Sequence, residues 1–113
     1  MHELSVTQNI LEIALRHAKE AGAQRILSLN LAIGDLTSIV DDSVQFYWDI
    51  IAKDTIAEGA DLHFKRLPAE LLCLDCSTRY TPADDLFTCP ACQSAHIQVV
   101  GGKEFFLESI NVT

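Results

Sequence analysis

Four cysteines in two matched pairs constrain this chain more than any other feature. Cys73-Leu74-Asp75-Cys76 and Cys89-Pro90-Ala91-Cys92 form the pattern C-x2-C-x12-C-x2-C. Two cysteines separated by two residues can turn both thiolates onto one ion, and two such turns complete a tetrahedron. The middle spacer is slightly shorter than the roughly 15–20 residues usual for this class of site, but it has room for a short hairpin. Leu71-Leu72 and Leu86-Phe87 read as strands feeding the turns. A pair of disulfides is the competing use of four cysteines. It belongs to exported chains, and the opening MHELSVTQNI has neither a positive n-region nor an apolar h-region. A thiol redox enzyme accounts for one C-x2-C but not two. Iron, as in rubredoxin, accepts the same sulfur donors. Zinc is the expected ion, in a structural role, because four thiolates close its shell and leave no position for water. Such an insertion is expected to fold only with metal bound.

Charge narrows the function further. The 113 residues hold 8 Lys and Arg against 16 Asp and Glu, a formal charge of −8. Nucleic-acid binding depends on neutralising phosphates, so this balance argues against it. A cation cargo or a basic protein partner suits it better. No apolar run is long enough to span a membrane, and the expected compartment is the cytoplasm.

Periodicity supplies the scaffold. Val6, Ile10, Ile13 or Ala14, and Ala18, widened by Leu11 and Leu15, predict a helix near residues 4–21, with Ser5 and Gln8 as a capping box and Gly22 as the stop. Leu27, Leu29, Leu31 and Ile33 alternate with smaller or polar residues and predict a strand near 25–33. Asp41, Asp42 or Ser43 would cap a helix near 42–54, whose Val44, Phe46, Tyr47, Trp48, Ile50 and Ile51 read as core. Strands are expected near 60–67, with Leu62 and Phe64 inward and His63 outward, and near 103–112. The sum is an α+β core, residues 1–69 and 102–113, with a zinc module, residues 70–101, inserted before its last strand.

His2 is the remaining candidate for chemistry. A histidine near a terminus is ordinarily a solvated residue. At position two, however, the Met1 α-amine, the His2 amide nitrogen and the His2 imidazole Nδ1 can close fused chelate rings. Such nitrogen donors suit Ni(II) or Cu(II). Glu3 can add its amide or carboxylate, and Met1 should be retained because it precedes a large residue. His17 reads as a helix-surface residue. His96 is expected near the zinc without binding it. Asp41 and Asp42 are expected caps, with a possible oxygen donor for an N-terminal cation. No Ser-His-Asp set, P-loop or dinucleotide motif is present.

Met1-His2-Glu3-Leu4-Ser5, together with the two Cys pairs, resembles the hydrogenase maturation nickel metallochaperones (HypA/HybF). The similarity extends through Ile33-Gly34-Asp35-Leu36, Gly102-Lys103-Glu104 and Glu108-Ser109-Ile110. Asp35 stands where many relatives carry Glu. The resemblance implies two helices on a three-stranded sheet beside a zinc ribbon. It implies Ni(II) at His2, with Met1 and Glu3 nearby, and Zn(II) at Cys73, Cys76, Cys89 and Cys92. It also implies delivery to the [NiFe]-hydrogenase large subunit with a partner GTPase, or in some members to urease, by a carrier that is not an enzyme. A zinc-ribbon protein-interaction module without nickel transfer is the alternative from another class.

Overall fold

The computed structural model describes residues 3–82 and 88–113. The order of elements is α1 (Glu3–Glu20), β1 (Ile26–Gly34), α2 (Asp41–Ile51), β2 (Asp61–Leu67), β3 (Glu70–Cys73), β4 (Arg79–Tyr80), β5 (Ile97–Gly101) and β6 (Phe105–Val112). The strands make two three-stranded sheets, ordered β2-β1-β6 and β4-β3-β5. Two compact units result: Met1–Ala32, Ser38–Lys65 and Phe105–Thr113 in the first; Ile33–Thr37 and Arg66–Glu104 in the second.

The first unit follows from the periodicities. Val6, Ile10, Leu11, Ala14 and Ala18 are buried on one face of α1, because side chains three and four apart share a helix face. Ile10, Leu11, Ala14 and Ala18 pack with Ile26, Leu29 and Leu31 of β1 and Trp48 of α2 in one core. Across the sheet, Asn30 Nδ2 donates to Ser109 Oγ and Asn111 Nδ2 to Ser28 Oγ. These polar pairs bind β1 to β6 where side chains meet water. Among the described residues, Thr7 is the one buried polar side chain. Its hydroxyl donates to the Glu3 carbonyl one turn back.

Three expectations change here. Helix α1 already includes Ser5 in its first turn, so Ser5 does not cap it and no capping box with Gln8 forms. The cap of α2 is Val40, in extended conformation and without a side-chain hydrogen bond. Asp41 and Asp42 instead lie in the first turn, where their charge favours the helix dipole. The third change concerns the aromatic cluster. Trp48 and Val44 are fully buried, but Phe46 and Ile50 are 62% and 57% exposed. A single 3.6-residue helix cannot turn all six apolar residues inward. Phe46 rests edge-on against Tyr47, with ring centroids 5.5 Å apart.

The second unit holds a close backbone crossing. Gly34 N–H donates to the Glu104 carbonyl, Leu36 N–H to the Gly102 carbonyl and Asp35 N–H to the Leu67 carbonyl, at 2.7, 2.7 and 2.8 Å. A Cβ on Gly34 would lie 2.0 Å from the Gly102 carbonyl oxygen. Gly102 itself has φ +102°, which side chains rarely tolerate. Gly34 is thus required by contact, and Gly102 both by its backbone conformation and by the Ala69 Cα, which would lie 2.7 Å from its Cβ. Gly34→Ala should therefore destabilise the protein by about 3 kcal/mol, the upper part of the usual overpacking range. Urea unfolding of both proteins checks this, and wild-type stability would contradict the crossing.

Candidate metal centre

The cysteines sit on two turns built by the same bonds. In the first turn, Ser77 N–H donates to the Cys73 carbonyl at 2.9 Å and Cys73 N–H to the Thr78 carbonyl at 2.9 Å. In the second, Gln93 N–H donates to the Cys89 carbonyl at 2.8 Å and Cys89 N–H to the Ser94 carbonyl at 3.0 Å. Each turn reverses at the residue after its second cysteine, where φ is +63° at Ser77 and +61° at Gln93. This left-handed geometry costs a non-glycine residue about 1–2 kcal/mol. The first cysteine of each turn is buried and the second exposed.

Strand pairing holds the first turn in place. Antiparallel β3 and β4 pair Leu71 with Tyr80 and Leu72 with Arg79, and the loop between them carries Cys76. On its other side β3 pairs with β5, setting Cys73 opposite Ile97. Leu71 is fully buried, so this small sheet has a core residue of its own. Arg79 Nη1 reaches Glu70 Oε1 at 3.2 Å across the hairpin.

The four sulfurs lie within 4.8 Å of one another. The Cys73–Cys92 and Cys76–Cys89 sulfur pairs are each 3.5 Å apart, far beyond a disulfide bond. A zinc ion about 2.3 Å from each of four tetrahedral sulfurs spaces those sulfurs by about 3.8 Å. The donor set fits a structural zinc, which closes its shell with four thiolates. Ala91 N–H donates to Cys89 Sγ at 3.4 Å, and the Thr78 hydroxyl lies 3.2 Å from Cys76 Sγ. Both interactions favour charge on sulfur.

Electrostatics of the four thiols show why an ion belongs among them. The Thr78 hydroxyl and backbone, with help from Cys89, lower the Cys76 thiol to about 6. At Cys92, a backbone hydrogen bond from Ser94 favours the thiolate but is outweighed by Cys73 and Cys76, and the thiol is pushed up to about 12. One sulfur of the crowded set ionises readily while its neighbour resists. A divalent cation removes the conflict by neutralising the charge of both.

Several other sequence candidates are placed. His96 Nδ1 lies 3.3 Å from Asp75 and is not part of the sulfur cluster. Ser94 and then His96 hold the Asp75 carboxyl below its usual range. His17 and His63 are exposed. Met1 and His2 lie outside the described residues, as do Leu86 and Phe87. Glu3 opens α1 and is half-buried. Sequence reasoning missed Tyr80, whose buried hydroxyl has no hydrogen-bond partner among the described residues. Burial and then the charges of Cys89, Cys73 and Cys92 raise its pKa. It also missed the left-handed residues, because neither Ser77 nor Gln93 is the glycine that usually marks such a bend.

A helix-covered sheet and a four-thiolate ribbon on one small chain define a metal-handling protein of the α+β class. The family model described as "Hydrogenase/urease nickel incorporation, metallochaperone, hypA" matches residues 1–112. The chain is 44% identical over 112 residues to the hydrogenase maturation factor HypA of Dehalococcoides mccartyi, covering 99% of this chain and 94% of that one. It resembles the solution structure of a HypA protein with TM-score 0.77 and 26% identity, covering 100% of this chain and 97% of that one. It also resembles the solution structure of the Ni metallochaperone HypA from Helicobacter pylori, with TM-score 0.71 and 25% identity, covering 99% and 97%. The chain belongs to this HypA family of nickel-incorporation metallochaperones.

Two outcomes follow from the turns and the thiols. Gln93→Val should weaken zinc retention by about 1–2 kcal/mol, because a β-branched residue strains most in the left-handed region, whereas Gln93→Gly should not. Competition with a zinc chelator measures both. Apparent zinc affinity should also rise with pH. Cys76 becomes a thiolate above about 6, and zinc must displace the proton that Cys92 keeps up to about 12. Each displaced proton contributes about tenfold per pH unit. A flat pH profile would contradict thiolate ligation.

Proposed function

We propose that the chain is a cytoplasmic nickel carrier. It binds Ni(II) at its N-terminus through His2, the Met1 amine and Glu3, and passes the ion on for [NiFe]-hydrogenase maturation. The family match beginning at residue 1 carries this reading, because it includes the Met1-His2-Glu3 opening. The Helicobacter pylori relative is itself named a Ni metallochaperone. Among the described residues, no helix is long and apolar enough to cross a membrane.

The chemistry of transfer also supports it. A carrier must hold its ion selectively and still release it. A terminal site with few protein donors allows a partner's ligands to replace them one at a time. Nitrogen donors in a square-planar array favour Ni(II) over ions that prefer oxygen. Glu3, in the first turn of α1, brings negative charge to a helix end that would otherwise repel a cation.

Zinc, in this proposal, is held by Cys73, Cys76, Cys89 and Cys92 and keeps the ribbon folded. Its closed sulfur shell leaves it no catalytic position. Residues 1–69 and 102–113 act as the nickel lobe, and residues 70–101 as the zinc lobe. The receiving partners are a nickel-loading GTPase and the hydrogenase large subunit. The acidic chain, with formal charge −8, suits both a cation and basic docking surfaces.

Calorimetric titration of untagged protein with Ni(II) tests the site. His2→Ala should lower nickel affinity by at least tenfold while leaving the zinc content unchanged. Residues added ahead of Met1 should weaken nickel binding as well, because they remove the free amine from that position. Full affinity in both proteins would place nickel elsewhere.

A further inference from the structure

The two cysteine turns are joined by a side chain that is not itself a metal donor. Asp75 lies inside the first turn, between Leu74 and Cys76. Its Oδ2 accepts a hydrogen bond from the Ser94 hydroxyl, and its Oδ1 lies 3.3 Å from His96 Nδ1. Ser94 and His96 follow the second turn directly. Ser94 Oγ also accepts the His96 N–H at 3.0 Å. One backbone bond runs alongside, from Leu74 N–H to the His96 carbonyl at 2.8 Å.

Position gives these contacts their effect. Ser94 is fixed from behind, because its carbonyl accepts the Cys89 N–H. A bond from Asp75 to Ser94 therefore reaches the backbone frame of the second turn. Cys76, next to Asp75, is one of the two exposed cysteines, and Cys92, two residues before Ser94, is the other. These exposed sulfurs are where an attacking ligand meets the site first. For either sulfur to leave an ion, the two turns must part, and the Asp75–Ser94 bond spans that seam. The bond is exposed, so it adds little to global stability. Its influence falls on the local opening of the two turns.

We infer that Asp75 is a positioning residue, whose carboxylate latches the second cysteine turn to the first and slows loss of the zinc held between them. This rests on the zinc reading above. It assigns the latch to a residue inside the C-x2-C spacer, a position that the thiolate pattern leaves free. The arrangement has the form of a hydrogen-bonded outer shell that orients metal ligands, whose removal typically costs 10–100-fold in metal affinity.

Zinc transfer from the loaded full-length protein to a chromophoric chelator is the test. Asp75→Ala and Ser94→Ala should each speed release by about tenfold, near the lower end of that range. The double variant should accelerate release by clearly less than the two single effects combined, because both changes remove the shared Asp75–Ser94 bond. Asp75→Asn keeps a carbonyl oxygen for the Ser94 hydroxyl and should recover much of the retention; it also serves where Asp75→Ala fails to fold. Cobalt(II)-loaded samples should show the same thiolate charge-transfer bands in every variant. Wild-type release rates in Asp75→Ala and Ser94→Ala, or accelerations that add in the double variant, would overturn the latch. Cobalt bands altered by Asp75→Asn would make Asp75 a ligand and overturn the positioning role. Wild-type protein without thiolate bands would instead remove the zinc reading itself.

Discussion

Mutual repulsion among four sulfurs governs the second unit. Their ligand atoms lie within 4.8 Å of one another, and thiolates so close cannot all be charged without a cation. Opposite shifts at Cys76 and Cys92 express that conflict. A divalent ion against four thiolates leaves two negative charges uncompensated. The Ala91 amide donates to Cys89 Sγ, and the Thr78 hydroxyl, 3.2 Å from Cys76 Sγ, can donate to that sulfur once it is ionised; both offset part of that excess. Among the described residues of this unit, Ile33 and Leu71 are the large apolar side chains that are fully buried, and a unit of this size gains from a metal staple. The ion and the ribbon therefore depend on each other.

The first unit rests on different physics. Its helices and sheet bury Leu29, Leu31, Trp48 and the α1 stripe in one apolar core. Burying a tryptophan in such a core typically matters by about 3–5 kcal/mol, and Trp48 retains this role although its indole nitrogen has no hydrogen-bond partner among the described residues. In the proposed carrier, an ion held at the opening residues would be exchanged without disturbing the apolar contacts of this core.

Legibility in the sequence followed the strength of the periodic signal. The α1 stripe is buried where spacing places it, and β1, β2 and β6 fall within two residues of their expected bounds. The metal centre was legible from two C-x2-C spacings, because the chemistry of tetrahedral sulfur leaves little choice. The strand β5 was missed: Gln98, Val99 and Val100 are all exposed, so no alternation marks it. The capping assignments failed for a related reason. Asp and Ser can serve as a cap or sit in the first turn, and the difference depends on where the chain enters the helix. Phe46 misled because an exposed aromatic is indistinguishable from a buried one until the helix phase is fixed.

The two turns also show how a metal centre can tolerate unfavourable local sequence. Glycine would meet the left-handed positions after Cys76 and Cys92 without strain, yet Ser77 and Gln93 occupy them. Such strain persists only where surrounding structure over-determines the backbone. Here each turn is fixed by two backbone hydrogen bonds and a pair of thiolates facing a common centre. Binding free energies of structural zinc reach about 10–16 kcal/mol, far above the cost of two strained residues. The same inequality explains why the bend leaves no glycine signature in the sequence. Where a metal dominates the local energy, residue choice at the turn is released from backbone preference, and only the spacing of the cysteines must be kept.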